Sequence, residues 1–162
     1  MYKHYEYCEA IARNLKAIQH TDTDHHFFRA IEQTELSELE QNISSAHGMI
    51  MIAIDGSFSS FQHEADSLVQ RPTYTIVIAE QTKASDTNTV FQAIADSRAS
   101  MMQVISRMLC DAKNYQYDCD LIDPSTFQLE GFGPIGDLFY GVILTFSLAE
   151  GVNFAVNPEM WL

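Results

Sequence analysis

The chain has 162 residues, 46% of them hydrophobic, and its 22 acidic against 9 basic side chains give a formal charge of −13. That length fits one domain able to bury about 70% of its unfolded surface, so a core is within reach without disulfides or metal. The charge repels phosphate backbones and excludes general nucleic-acid binding, and no apolar run approaches the roughly 20 residues that cross a bilayer.

Residues 4–19 predict a first helix, because Cys8, Ile11, Leu15 and Ile18 recur at spacings of three and four. A polar turn follows at residues 20–24. Phe27, Phe28 and Ile31 form a short apolar segment that fits helix or strand equally. Thr34 then sits before acids and a Leu36, Leu39, Ile43 stripe, which predicts a capped short helix. The run Met49-Ile50-Met51-Ile52-Ala53-Ile54 lies between glycine-containing turn signals and reads as a strand buried on both faces.

Residues 57–71 are polar and irregular, and are expected to form a long connecting loop that carries Phe58 and Phe61 as contact residues. Pro72 opens the next strand, 73–79, and the two strands are expected to pair as a hairpin around that loop. Residues 86–113 give the strongest helical pattern, with Phe91, Ile94, Met101, Ile105 and Met108 on one stripe and Asp86 or Asn88 as cap. A short strand at 126–130, a Gly131-Gly133-Pro134-Gly136 turn and a long final strand up to Leu148 complete the domain. The expected architecture is α+β in one domain over 1–162, with 151–162 a C-terminal tail. It has a single mixed, mostly antiparallel four-stranded sheet with helices packed on one face, in the order α-α-β-β-α-β-β.

Reactive constellations are few. His20, Asp22, Asp24, His25 and His26 place five imidazole and carboxylate groups within seven residues, a ligand set suited to zinc or another transition metal. The spacing matches neither a helical His-x-x-x-His pair nor an EF-hand loop, so a solvated turn is the expectation and a metal-dependent enzyme or sensor the alternative. Asp111, Asp118, Asp120 and Asp123 form a second acidic group that reads as surface charge. Gly56-Ser57-Phe58-Ser59 is not the Gly-x-Ser-x-Gly of a nucleophile elbow. The glycines at 131–136 precede a strand and lack a lysine, so they are not expected to bind phosphate. Cys8 and Cys110 fall on apolar helical stripes and are expected to be buried. No catalytic residue and no cofactor is expected. The first seven residues lack the apolar region of a secretory signal, which makes a reducing cytoplasm the expected compartment. Phe154, Met160 and Trp161 on the tail are natural interface anchors. A ligand-binding α+β module, with a pocket between the long helix and the sheet, is a further alternative.

Two features carry a resemblance: the strand at 73–79 leading into the helix at 86–111, and Asp137-Leu138-Phe139-Tyr140-Gly141-Val142-Ile143-Leu144-Thr145-Phe146 ahead of and within the last strand. With the element order, they resemble bacteriophage tail terminator or tail completion proteins, over roughly residues 5–150 and in architecture rather than in a tight motif. The resemblance implies a non-enzymatic subunit that assembles with itself, often as a ring, and contacts tail tube or head–tail connector proteins. It implies assembly in the cytoplasm and residence in a virion or tail-like particle. The long 57–71 loop and the aromatic tail depart from that pattern.

Overall fold

The continuous apolar run at 49–54, met by a second at 76–79, builds the centre of the molecule. The computed structural model describes the chain except residues 32–35, 65–66, 84–85, 137 and 153–154, and except the side chains of 36–38, 56–57, 64 and 67. In chain order the elements are α1 (His4–Asn14), β1 (Phe27–Ala30), α2 (Leu36–Ile43), β2 (Met49–Glu64), β3 (Ser67–Gln81), α3 (Thr87–Lys113), β4 (Ile122–Ile135), β5 (Phe139–Leu148) and β6 (Glu150–Gly151). Short 3₁₀ turns occupy Cys119–Leu121 and Pro158–Met160. The α+β class agrees with the sequence expectation.

The sheet itself does not. Among the described residues it has six strands, ordered β1-β2-β3-β5-β4 with β6 beside β3, where four were expected. The additional strands are the edge strand β1, which runs parallel to β2 with Phe27 beside Met51, and the two-residue β6, which pairs with Val69 and Gln70. The undecided segment around Phe27 is therefore a strand. The element order begins α-β-α rather than α-α, and a strand follows the final long one.

Helices cover both faces, which corrects the expectation of one. On the first face, Met49, Met51 and Ala53 of β2, Ile76 and Ile78 of β3, and Val142, Leu144 and Phe146 of β5 pack under α1 and α3. On the second, Ile50, Ile52, Ile54, Val77, Ala79 and Ile143 pack with Leu39 and Ile43 of α2. A strand with apolar residues on both sides needs cover on both sides, and the alternating residues of β2 are buried at 0–1% exposure in both sets from Ile50 to Ile54.

The 57–71 segment is not a loop. Past an irregularity between Asp55 and Ser59, the β2–β3 ladder resumes with Ser59 opposite Pro72 and continues to Glu64 opposite Ser67. Backbone pairing satisfies these residues where their side chains carry no strand signature. Pro72 lies inside β3 rather than at its start, next to the irregularity, where a missing amide proton is tolerated. The result is a two-stranded arm projecting beyond Thr73, the last β3 residue paired with β5.

α1 ends at Asn14, short of the expected residue 19. Leu15 is extended and Gln19 takes φ 51°, while the amide of His20 returns to the carbonyl of Ala12 at 3.1 Å. Ile18 stays fully buried from this turn, so the apolar stripe holds although the helix does not. The expected Thr34 cap of α2 lies outside the described residues. α3 starts as expected, its Asp86 side chain accepting from the amide of Asn88 at 3.0 Å. The expected glycine turn at 131–136 is mostly the end of β4, bent by a register shift between Phe132 and Ile135. No helix among the described residues is long and apolar enough to cross a membrane.

Candidate functional site

The His/Asp segment between α1 and β1 folds back on α1. Its ordering group is Glu9, whose carboxylate accepts from Arg13 at 2.8 Å and from Arg29 at 2.6 Å, tying the helix to β1. These two guanidinium groups, Arg13 first, hold the Glu9 carboxyl below its usual range. Arg13 also donates to Asp22 at 2.6 Å. His26 has its Nδ1 3.2 Å from the Met49 carbonyl and its Nε2 2.9 Å from Asp24 Oδ1. Both partners only accept, so the doubly protonated ring alone makes both bonds.

His20 is buried, and its Nδ1 accepts the amide proton of His26 at 3.2 Å. The neutral ring therefore carries its proton on Nε2, which stands 3.9 Å from Glu9 Oε1. Burial, then the Arg13 charge, lowers its pKa. His25 is exposed, its ring 5.7 Å from that of His20. Asp22 is thus committed to Arg13 and Asp24 to His26, and His20 spends its one acceptor nitrogen on the His26 amide, so of these five side chains His25 is the imidazole left facing solvent. Among the described residues no three His, Cys, Asp or Glu side chains are grouped to hold a metal ion. Glu9, Arg13, His20, Asp22 and His25 instead line one side of an open cleft of about 660 Å³, whose other wall is Leu39, Gln41, Asn42 and Ser45 at α2.

The second acidic group is dispersed by the fold. Asp111 is buried on α3, Asp118 pairs with the amino group of Met1 at 2.7 Å, and Asp123 accepts from Arg71 at 2.8 Å across the root of the arm. Asp120 is exposed. Of the cysteines, Cys8 is buried as expected and burial pushes its thiol well up. Cys110 is exposed, because α3 turns Met108 and Asp111 inward and 110 falls outside that stripe. Cys119 is buried, its thiol raised to about 11 chiefly by burial. Neither buried thiol, Cys8 or Cys119, has the environment of a reactive thiolate.

The expected contact residues lie on the arm and the tail. Phe58 is 67% exposed at the β2 irregularity, and Phe61 is exposed further along the same strand. Trp161 is 73% exposed, with Met160 and Val156 beside it in the tail also exposed. Phe154 lies outside the described residues. The chain runs along the arm before the tail begins, since β6 pairs with Val69 and Gln70 of β3 and the amide of Val152 reaches the Leu68 carbonyl at 3.4 Å.

One site was not singled out by sequence reasoning. Between α1 and α3 runs a groove of about 250 Å³ whose walls include Tyr7, Ala10, Ile11 and Leu15 on one side and Gln103, Val104, Arg107 and Asp111 on the other. Asp111 is 2% exposed. Its Oδ2 accepts from the Tyr7 hydroxyl at 2.9 Å and from Arg107 Nε at 2.8 Å. Tyr117 also lines the groove, its ring tilted against that of Tyr7 at 5.3 Å between centres. The available signal was an acid on a buried stripe: Val104, Met108 and Asp111 follow one another at spacings of four and three, which places Asp111 inward.

Compared with known proteins, the chain matches no family model, and no curated protein is significantly similar to it.

Proposed function

We propose that this chain is a non-enzymatic assembly subunit that works by self-association, of the kind it resembles among phage tail terminator and completion proteins. On this reading it contacts tail tube or head–tail connector subunits. It is assembled in the cytoplasm and ends in a tail-like particle.

The observation that carries the reading is the β2–β3 arm. Residues Ser59–Glu64 and Ser67–Pro72 pair with each other, and the short β6 is their one further strand neighbour among the described residues. A two-stranded ribbon is by itself marginally stable in water. An arm that also exposes Phe58 and Phe61 gains stability when another subunit covers it. Sedimentation and negative-stain microscopy over a wide concentration range test the proposal. Concentration-dependent closed oligomers are expected. A protein that stays monomeric at high concentration and binds neither tube nor connector subunits would sink it.

A second reading, a ligand-binding module, is favoured by the cleft that holds Arg13, Arg29, His20 and His25. Thermal stabilisation by small carboxylates or phosphates, abolished by Arg13→Ala, would favour it over assembly.

A further inference from the structure

The tail and the α1–α3 groove match in size and in the polar groups they carry. A cavity of about 150 Å³ takes up benzene, and the groove, at about 250 Å³, has room for the larger indole ring. A buried indole needs an acceptor for its N–H. Asp111 supplies one: Oδ2 is occupied by Tyr7 and Arg107, while among the described residues no donor reaches Oδ1. At the rim, Arg107 uses Nε for Asp111 and keeps the outer nitrogens of an exposed guanidinium for an anion. The tail carries such an anion at Glu159, two residues before the indole.

We propose that Trp161 of one copy seats in the α1–α3 groove of a second copy, its indole N–H donating to Asp111 and Glu159 pairing with Arg107. The proposal rests on the assembly reading and names the receptor surface for the tail. The isolated chain argues for a second copy rather than the same one: its Trp161 is 73% exposed, and no residue of its tail lines its own groove among the described residues. Mutual exchange closes as a two-fold pair, and head-to-tail exchange closes as a ring.

Trp161 is the sole tryptophan, so its emission reports docking directly. On concentrating the full chain, emission is expected to shift to the blue and iodide quenching to fall, in step with the rise in mass seen by sedimentation. Trp161→Ala is expected to weaken self-association at least about 30-fold, the loss typical of a central aromatic anchor. Ala10→Phe fills the groove from α1 and is expected to leave Trp161 exposed at every concentration. Gln103→Phe does so from the opposite wall, should the first variant fail a circular-dichroism check of folding. Self-association with Trp161 exposed throughout overturns the inference and leaves the assembly reading standing. A protein monomeric at all concentrations overturns both. A monomer with a shielded Trp161 shows the tail filling its own groove, and shielding insensitive to both groove variants places the indole elsewhere; either result overturns the inference.

Discussion

Gly141 of β5 lies opposite Ala79 of β3 so closely that a Cβ on Gly141 would run into the Ile78 carbonyl oxygen and stand 2.6 Å from Ala79 Cα. Both obstacles are backbone in the middle of the sheet, so neither can turn aside. Gly141→Ala is therefore expected to cost about 3 kcal/mol or more, the upper end for overpacking a core. Urea denaturation of the two proteins measures it. A loss under about 1 kcal/mol would mean that the strands separate more easily than this pairing allows.

His4 links the amino-terminal helix to the sheet and sets a pH dependence. Its Nε2 donates to the Thr75 carbonyl at 3.0 Å, and its Nδ1 faces the Tyr2 hydroxyl at 3.2 Å within a cluster of Tyr2, Tyr74 and Phe146. Burial is the main cause that lowers its pKa from 6.5 to about 4. Between those values the unfolded chain takes up a proton that the folded one refuses. Stability from this group is therefore complete above pH 6.5, falls as the pH drops toward 4, and changes little below that. The integrated loss is about 3 kcal/mol. His4→Gln is expected to flatten the stability-versus-pH curve over that window, and an unchanged slope would assign the effect to other groups.

The root of the arm is held by Arg71 and Asp123, 2.8 Å apart and both largely shielded from water. The hydroxyl and amide of Ser125, with Arg71 adding to them, keep the Asp123 carboxyl below its usual range. Its folded value being depressed, the contribution is present above the unfolded pKa and is lost as pH falls through the folded one. Asp123→Ala is expected to cost about 1 to 3 kcal/mol by taking a charged acceptor from a shielded guanidinium. Hydrogen exchange should quicken first in the amides of residues 67–71. Uniform quickening across the sheet would show that the pair supports the whole fold rather than the arm.

What the sequence made legible follows from which elements carry their own periodicity. α3 and β5 have long runs of 3.6-residue and β-branched pattern, so their positions and the inward face of Met101 and Met108 were readable. The arm was not, because Ser59, Ser60 and Gln62 carry no strand preference and take strand geometry from the partner that satisfies their backbone. β1 was ambiguous because four residues are too few to separate the two periods. Burial of the 49–54 run on both faces was readable, and it already required a second layer; placing α2 there is the step that pattern alone did not force. Phe58 and Trp161 stood out because large aromatics in polar stretches need no partner to be noticed. The α1–α3 groove needed the pairing of Asp111 with Tyr7, 104 residues apart, which no local pattern contains.

Glu9 decides how the His/Asp segment behaves. With Arg13 and Arg29 both bound to it and Arg13 bound in turn to Asp22, the segment is organised by ion pairs rather than by an ion. Protein purified without an affinity tag is accordingly expected to contain well under one equivalent of zinc or other transition metal, and chelator treatment to leave the melting temperature unchanged. Glu9→Gln is expected to destabilise the fold by about 1 to 2 kcal/mol, since two guanidinium groups lose a charged acceptor that is itself mostly shielded. Stoichiometric metal that survives dialysis, or a chelator-induced fall in melting temperature, would return the segment to its alternative role as a metal centre.

Phe58 offers the sharpest separation of assembly from folding. It stands at the irregularity where the β2–β3 ladder shifts register, exposed and outside both core clusters, so its ring contributes little to the isolated subunit. Phe58→Ser is therefore expected to change unfolding free energy by about 0.5 kcal/mol or less, the usual range for surface positions. If the arm is an interface anchor, the same substitution raises the self-association constant for dissociation by at least tenfold, about 1.4 kcal/mol. Trp161→Ala should act independently of it, because arm and tail would then meet different surfaces of the neighbour, and effects at separate sites add. Strong non-additivity between the two would instead place both aromatics in one shared contact.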